Sequence, residues 1–333
     1  MNAATHARLF GYEQAFANPA TKWIAIVLAM LLGVTPIVFL ALQAMGRLRS
    51  EQRRELWLRY VSWLALVPLM LVPVLLGAAW TIGAVALLSL LCYREFSRAP
   101  GMPRDRSIEA VVYLGIALVT LASADHWYGF FVALFPLTVC AIAAVAILAD
   151  RPQGYIQRCA LGALGFMLFG GGLGHLGYLA NEANYRPIVL LTLLAVELND
   201  VFAYCSGKTF GRGKLAPHTS PNKTLGGALG AVVLTTVLVV WIGRYAFAST
   251  PLAATGHLIV LGAMISIVGQ LGDLMLSSVK RDLGIKDMGE AIPGHGGLLD
   301  RFDSLILVAP AVFHYVNYFA GIGLDQMPRW FLG

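Results

Sequence analysis

Residues 272–303 carry Asp273, Lys280, Arg281, Asp282, Lys286, Asp287, Glu290, His295, Asp300, Arg301 and Asp303, in a chain of which only 13% is charged. Asp273, Ser277 and Lys280 are spaced to share one face of a helix, and Asp300, Asp303 and Ser304 share a face at the start of the next. Ionisable groups at the ends of apolar helices are costly and mark function, and two such ends can bring Asp273 and Asp300 to one cation. Carboxylates with open positions suit Mg²⁺, alone or with a second cation, because this hard ion keeps waters and shares its sphere with substrate phosphate. Lys280, Arg281, Lys286 and Arg301 then supply anion contacts. The glycines of Pro293-Gly294-His295-Gly296-Gly297 let backbone amides approach an anion closely. A solvated charged loop is the plain alternative, and the matched helix-face spacing on both sides argues against it.

A second polar segment lies upstream: Glu197-Leu198-Asn199-Asp200, then Gly207-Lys208-Thr209-Phe210-Gly211-Arg212, then Ser220-Pro221-Asn222-Lys223-Thr224-Leu225-Gly226-Gly227. Lys223 and Thr224 stand at the N-terminus of an apolar run, where free amides and the helix dipole favour phosphate. An ordinary capped helix start reads equally well there. Gly170-Gly171-Gly172-Leu173-Gly174-His175-Leu176-Gly177 looks like a nucleotide loop but lies inside an apolar run with no strand before it, so it reads as close helix packing, with His175 a packed polar residue. Cys92, Cys140, Cys159 and Cys205 are dispersed in or beside apolar runs and read as small apolar residues without a metal or redox role.

These groups need elements to position them. The 333 residues are 58% hydrophobic, and the charged fraction is about half the roughly 25% of a soluble domain. Too little polar surface remains to cover a globule, so the chain reads as an all-α, polytopic integral membrane protein; a disordered chain, a disulfide scaffold and a secreted soluble enzyme are excluded. Apolar runs predict about ten transmembrane helices, at 23–42, 60–76, 79–93, 108–124, 127–149, 158–180, 187–206, 225–242, 257–276 and 304–321. The third is short, so its hairpin with the second could be re-entrant. The first, preceded by a polar stretch and followed by Arg-rich sequence, reads as a retained span rather than a cleaved signal.

Nineteen of the 24 Lys and Arg fall at 43–59, 94–106, 150–158, 207–224 and 277–303, alternate connections that are cytoplasmic by the positive-inside rule, with both termini outside. The net charge of +6 is dealt out among these loops rather than gathered on one face, which argues against a nucleic-acid partner. The organisation expected is an N-terminal set of about six spans over 1–180 and a catalytic transmembrane region with cytoplasmic motif loops over 181–333.

Ser277-Ser278-Val279-Lys280-Arg281, Lys286-Asp287, Gly289, Ile292-Pro293, His295-Gly296-Gly297-Leu298 and Asp300-Arg301-Phe302-Asp303 resemble the signature of the phosphatidate cytidylyltransferases, or CDP-diacylglycerol synthases. Asn199-Asp200, Ala203-Tyr204, Gly207, Phe210-Gly211, Ser220-Pro221 and Lys223-Thr224 resemble the same family's upstream motifs. The N-terminal half agrees only in being helical and in Arg94-Glu95-Phe96. At the positions of Asn222, Gly226 and Gly227 the family usually carries a basic residue, an acidic residue and glycine, so this chain departs at two of the three.

The resemblance implies transfer of CMP from CTP to phosphatidate, releasing pyrophosphate, at a Mg²⁺-dependent site on the cytoplasmic side of the inner membrane, in a homodimer embedded in the bilayer. It implies Asp273 and Asp300 as metal ligands, with Asp303 and Asp287 as second choices. Lys280, Arg281, Lys286 and Arg301 would bind phosphates, His295, Gly296 and Gly297 would shape the loop, and Ser220, Lys223 and Thr224 would hold the triphosphate or the lipid phosphate. Asn199, Asp200 and Ser277 complete the expected substrate site. Two other readings stay open: a CTP-dependent prenol or lipid-alcohol kinase, and a cation-coupled transporter using Glu197, Asp200 and Asp273.

Overall fold

A computed structural model of the chain describes residues 3–46, 50–182, 184–289 and 296–321. After a short helix α1 (Ala3–Phe10) come α2 (Pro19–Ala44), α3 (Ser50–Leu76), α4 (Ala78–Arg98), α5 (Arg106–Ala124) and α6 (Tyr128–Ile147). α7 (Tyr155–Gly165) continues through a wider π-helical stretch, Phe166–Gly172, into α8 (Leu173–Leu179). α9 (Tyr185–Phe210), the strands β1 (Lys214–Ala216) and β2 (Ser220–Thr224), α10 (Leu225–Ala246), α11 (Thr255–Asp282) and α12 (Leu299–Ala320) follow. Among the described residues, nine helical stretches are long and apolar enough to cross a membrane. α12 is the tenth of the expected set; its first turns carry Asp300, Arg301 and Asp303, and it packs in the bundle against α11, α4 and α8. The protein is an all-α, multi-pass membrane protein.

Two details differ from the expectation. The third span is a full 21-residue helix, because polar residues through Arg98 continue the helix past the apolar run. The segment between α9 and α10, read as a loop, forms an antiparallel hairpin with Lys214 opposite Thr224 and Ala216 opposite Ser220.

Hydrogen bonds between connections report the alternation of faces. On one face Arg158 pairs with Asp105 at 3.3 Å, Glu95 accepts from Leu298 and Leu299, and Arg281 donates to the Thr219 carbonyl. On the other, Arg8 bonds Asn181 and the Ala124 carbonyl, Arg186 donates to the Gly11 carbonyl, and Asn18 donates to Asn184 and the Tyr245 carbonyl. Every predicted Lys/Arg-rich connection in these bonds falls on the first face.

Small residues let the central helices touch backbone to backbone, the usual device where lipid offers no hydrophobic drive for association. A Cβ on Gly272 of α11 would stand 2.8 Å from the Asp303 carbonyl of α12, and one on Gly227 of α10 would stand 2.6 Å from the Ala203 carbonyl of α9. The glycines of the π-helical stretch and α8 lie against Phe166, Phe135, Ile306 and Val119, and His175 is buried with its Nδ1 2.7 Å from the Gly171 carbonyl oxygen. This is the close packing anticipated for that run.

Candidate active site

The close approach of α9, α10 and α11 leaves a cavity of about 580 Å³ at their polar ends, roofed by the hairpin. Thr224 ends β2 and caps α10, its Oγ1 accepting from Gly227 N at 3.1 Å, and this fixes where Lys223 leaves the backbone. Arg281 holds the hairpin turn, its Nε donating to the Thr219 carbonyl at 3.3 Å. From this frame Lys223 reaches across the cavity to form an ion pair with Asp273 of α11, which also accepts from Ser277 Oγ at 3.1 Å. Asp200 of α9 and Ser220 of β2 line the same cavity.

Carboxylates crowd this place. Asp200 lies in the field of Asp273, and Asp303 of α12 in the field of both. Glu197, one turn before Asp200, borders an apolar cleft with Leu28 and Trp63 and lies in the field of Asp200, Asp303 and Arg301. Acidic groups this close, at the mouth of an apolar bundle, repel one another strongly unless cations stand among them. Lys223, Lys280 and Arg301 are the protein's own.

Asp300 is engaged differently. Its Oδ1 accepts from Lys280 Nζ at 2.8 Å, and its Oδ2 from Met288 N at 2.9 Å and Gly297 N at 3.0 Å. Gly296 has φ +80°, a conformation glycine adopts freely, and packs beside Asp300 and Asp287. Asp273 and Asp300, expected to share one ion, are both engaged by cations of the protein itself. Each is neutralised by a different lysine, and the acidic neighbours of Asp273 are Asp200 and Asp303.

The other expected residues divide. Lys223, Thr224, Ser220, Asp200 and Asp273 meet at the cavity, with Ser277 bonded to Asp273. Asn199 does not join them: it is buried in the seam of α9, α10 and α11, where its Oδ1 accepts from Thr235 and Ser266. One residue along a helix turns a side chain by about 100°, so Asn199 and Asp200 cannot share a face. Lys286 and Asp287 are exposed in the connection after α11, Arg281 serves the hairpin, and Arg301 lies toward Glu197 and Asp200. His295, like Pro293 and Gly294, lies outside the described residues.

Four residues were given no role from the sequence, although Tyr204, Lys208 and Glu95 stand in motif runs quoted above. Tyr204, Lys208 and Gln270 line the cavity, with Lys208 Nζ 4.6 Å from the centre of the Tyr204 ring. Helix spacing held the signal, since Asp200, Tyr204 and Lys208 follow at i+4, and Gln270 precedes Asp273 by three. The fourth, Glu95, binds the start of α12 from the far half of the chain, and spacing offered no hint of it.

Among the described residues, no three Asp, Glu, His or Cys side chains converge closely enough to hold a metal by themselves. Mg²⁺ does not require that, since it binds one or two carboxylates and completes its shell with waters and substrate phosphates. The hard oxygen donors around Asp273 fit such an ion.

Residues 57–319 match the model of the cytidylyltransferase family. The chain is 33% identical over 279 residues to the uncharacterized protein YnbB of Escherichia coli, an alignment covering 82% of this chain and 91% of that one. It is 38% identical over 141 residues to the phosphatidate cytidylyltransferase of Rickettsia felis, covering 41% of this chain and 62% of that enzyme. With the phosphatidate cytidylyltransferase of Synechocystis the identity is 42% over 143 residues, 41% of this chain and 46% of that enzyme. The chain thus spans about half to two thirds of the length of these two enzymes. With a family match over most of its length and one relative aligned nearly end to end, the chain belongs to the cytidylyltransferase family.

Proposed function

We propose that the protein transfers CMP from CTP to the phosphate of phosphatidate, forming CDP-diacylglycerol and pyrophosphate. The observation that carries this reading is the Lys223–Asp273 pair spanning a cavity of about 580 Å³ that Asp200, Lys208, Ser220 and Gln270 also line. A cationic arm on a hairpin opposite carboxylates on a helix is the donor set that polyphosphate needs. Lys223, with Lys208 at the rim, would hold the triphosphate, and Ser220 would bond a phosphate oxygen.

The lipid phosphate is already an anion near neutral pH, so no general base is required. Its oxygen attacks the α-phosphorus of CTP as the bond to the bridging oxygen breaks, and pyrophosphate leaves with that electron pair. Catalysis of this kind is positioning and charge neutralisation. Mg²⁺, when bound, would neutralise charge on the transferred and leaving phosphates. Asp273, with Asp200 on the same cavity, would hold it, waters and substrate phosphates completing its shell. Asp300 could join only by exchanging Lys280 for the cation.

An apolar cleft of about 100 Å³ between α3, α4 and the start of α12, lined by Leu69, Leu88, Leu298 and Phe302, supports a lipid acceptor. The Lys/Arg-rich face, which carries the cavity, would be the cytoplasmic face of the inner membrane, where CTP is found. A homodimer is proposed from the family resemblance alone.

The test is incubation of detergent-purified protein with phosphatidate, Mg²⁺ and CTP labelled separately at the α and γ phosphates. Lipid carrying the α label, with the γ label in pyrophosphate, is expected. Lipid carrying the γ label would replace this reading with a CTP-dependent lipid kinase, and no labelled lipid would overturn both.

A further inference from the structure

Glu95 stands in the last turn of α4, where a negative charge meets the negative end of its own helix dipole. A carboxylate so placed needs a partner elsewhere. It finds one 203 residues on: Glu95 Oε1 accepts from Leu298 N at 3.0 Å and Oε2 from Leu299 N at 2.8 Å. These are free amides at the start of α12, a helix that has no side-chain cap of its own. Two glycines make the approach possible. A Cβ on Gly297 would lie 2.6 Å from Glu95 Oε2, and one on Gly289 would lie 3.0 Å from Oε1. The carboxylate therefore sits close against two glycine backbones, tightest at Gly297.

From these contacts we infer that Glu95 is the positioning residue of the active site, a cap supplied from the N-terminal half that sets the first turns of α12. Those turns carry Asp300, Arg301 and Asp303, and the Asp303 backbone packs against Gly272, the residue before Asp273. Both bonds are charge-assisted and act as a fork, so they fix the direction of the helix start as well as its place. α12 also touches α11 backbone to backbone at Gly272, beside Asp273, which passes any shift of its first turns directly to the acidic cluster. Lys223 and the hairpin are held by α10 and Arg281. The inference rests on the cytidylyl-transfer reading for its kinetic consequence but not for the contact itself.

The experiment uses the full chain in detergent and compares wild type with Glu95→Ala, Glu95→Gln and Glu95→Asp by amide hydrogen exchange and by cytidylyl transfer to phosphatidate. In Glu95→Ala, exchange at Leu298 and Leu299 should quicken by roughly 10- to 100-fold, the worth of a hydrogen bond to a charged group. kcat should fall by roughly 10²-fold, as when reacting groups are misplaced by about 1 Å, with KM for CTP within about twofold. Gln keeps one acceptor oxygen and should recover part of kcat, while Asp, one methylene short, should not. Unchanged exchange in Glu95→Ala, faster exchange with unchanged kcat, or a kcat loss that only follows the folded fraction with Gln no better than Ala would each overturn the inference. If wild type transfers nothing from CTP, the proposed function falls, and the exchange of Leu298 and Leu299 alone decides whether Glu95 holds α12.

Discussion

Asp273 and Asp300 are the same residue type, each near the polar end of a membrane helix and each paired with a lysine, yet the protein uses them differently. The Lys223–Asp273 pair borders the large cavity, with side-chain exposures of 23% and 19%. The Lys280–Asp300 pair is at 11% and 4%, and the second oxygen of Asp300 is filled by two backbone amides. One pair can be parted by an incoming polyphosphate, with water and substrate charges replacing what is lost. The other closes a loop, and parting it would leave a buried charge without compensation. An acidic residue in a signature is thus not by itself a ligand; its remaining valences decide.

Four tests, using five substitutions, would break or sharpen this contrast, in descending order of expected effect. Lys280→Met should destabilise the protein by roughly 3–5 kcal/mol, the cost of leaving a buried carboxylate unpaired, seen as a lower thermal midpoint in detergent. Adding Asp300→Asn, which keeps an acceptor for Met288 N and Gly297 N, should restore most of that midpoint. If Lys280→Met melts like wild type, the pair is not structural.

Asp273→Asn should lower Mg²⁺-dependent turnover by roughly 10²- to 10³-fold, the usual worth of one group that stabilises developing charge, while the midpoint stays near wild type. A loss of stability without loss of turnover would reverse the roles assigned to the two aspartates. Lys223→Met should raise KM for CTP about tenfold, in keeping with one lost charge-assisted contact, and steady-state kinetics across CTP concentrations would show it. Unchanged KM would remove Lys223 from the triphosphate site.

Asn199→Ala should cost about 1 kcal/mol of stability, since two hydroxyl donors lose their acceptor, and should leave KM for both substrates unchanged. A raised KM with unchanged melting would place Asn199 back in the substrate site.

Much of the architecture was legible before any coordinates. Apolar runs of helical length and the alternation of Lys and Arg both follow from the cost of burying peptide groups or charge in lipid, so they are written locally in the chain. The polar cluster was legible for the same reason. Pairings were not. Lys223 and Asp273 lie 50 residues apart, and the hairpin that aims Lys223 depends on Arg281 reaching Thr219. Asn199 and Asp200 read as one motif, yet their side chains leave α9 in different directions, one into a helix seam and one to the cavity.

What the sequence by itself determined is the membrane solvent, the helices, the shared face of the Lys/Arg-rich connections at 94–106, 150–158, 207–224 and 277–303, and the presence of an acidic and basic cluster. These are sums over local transfer energies, which need no partner to be specified. Only the tertiary structure decided which carboxylate borders the cavity, which closes a loop, and that Glu95 caps a helix 203 residues away. Those outcomes turn on the last ångström of approach between helices, which Gly272, Gly289 and Gly297 permit and no local pattern encodes.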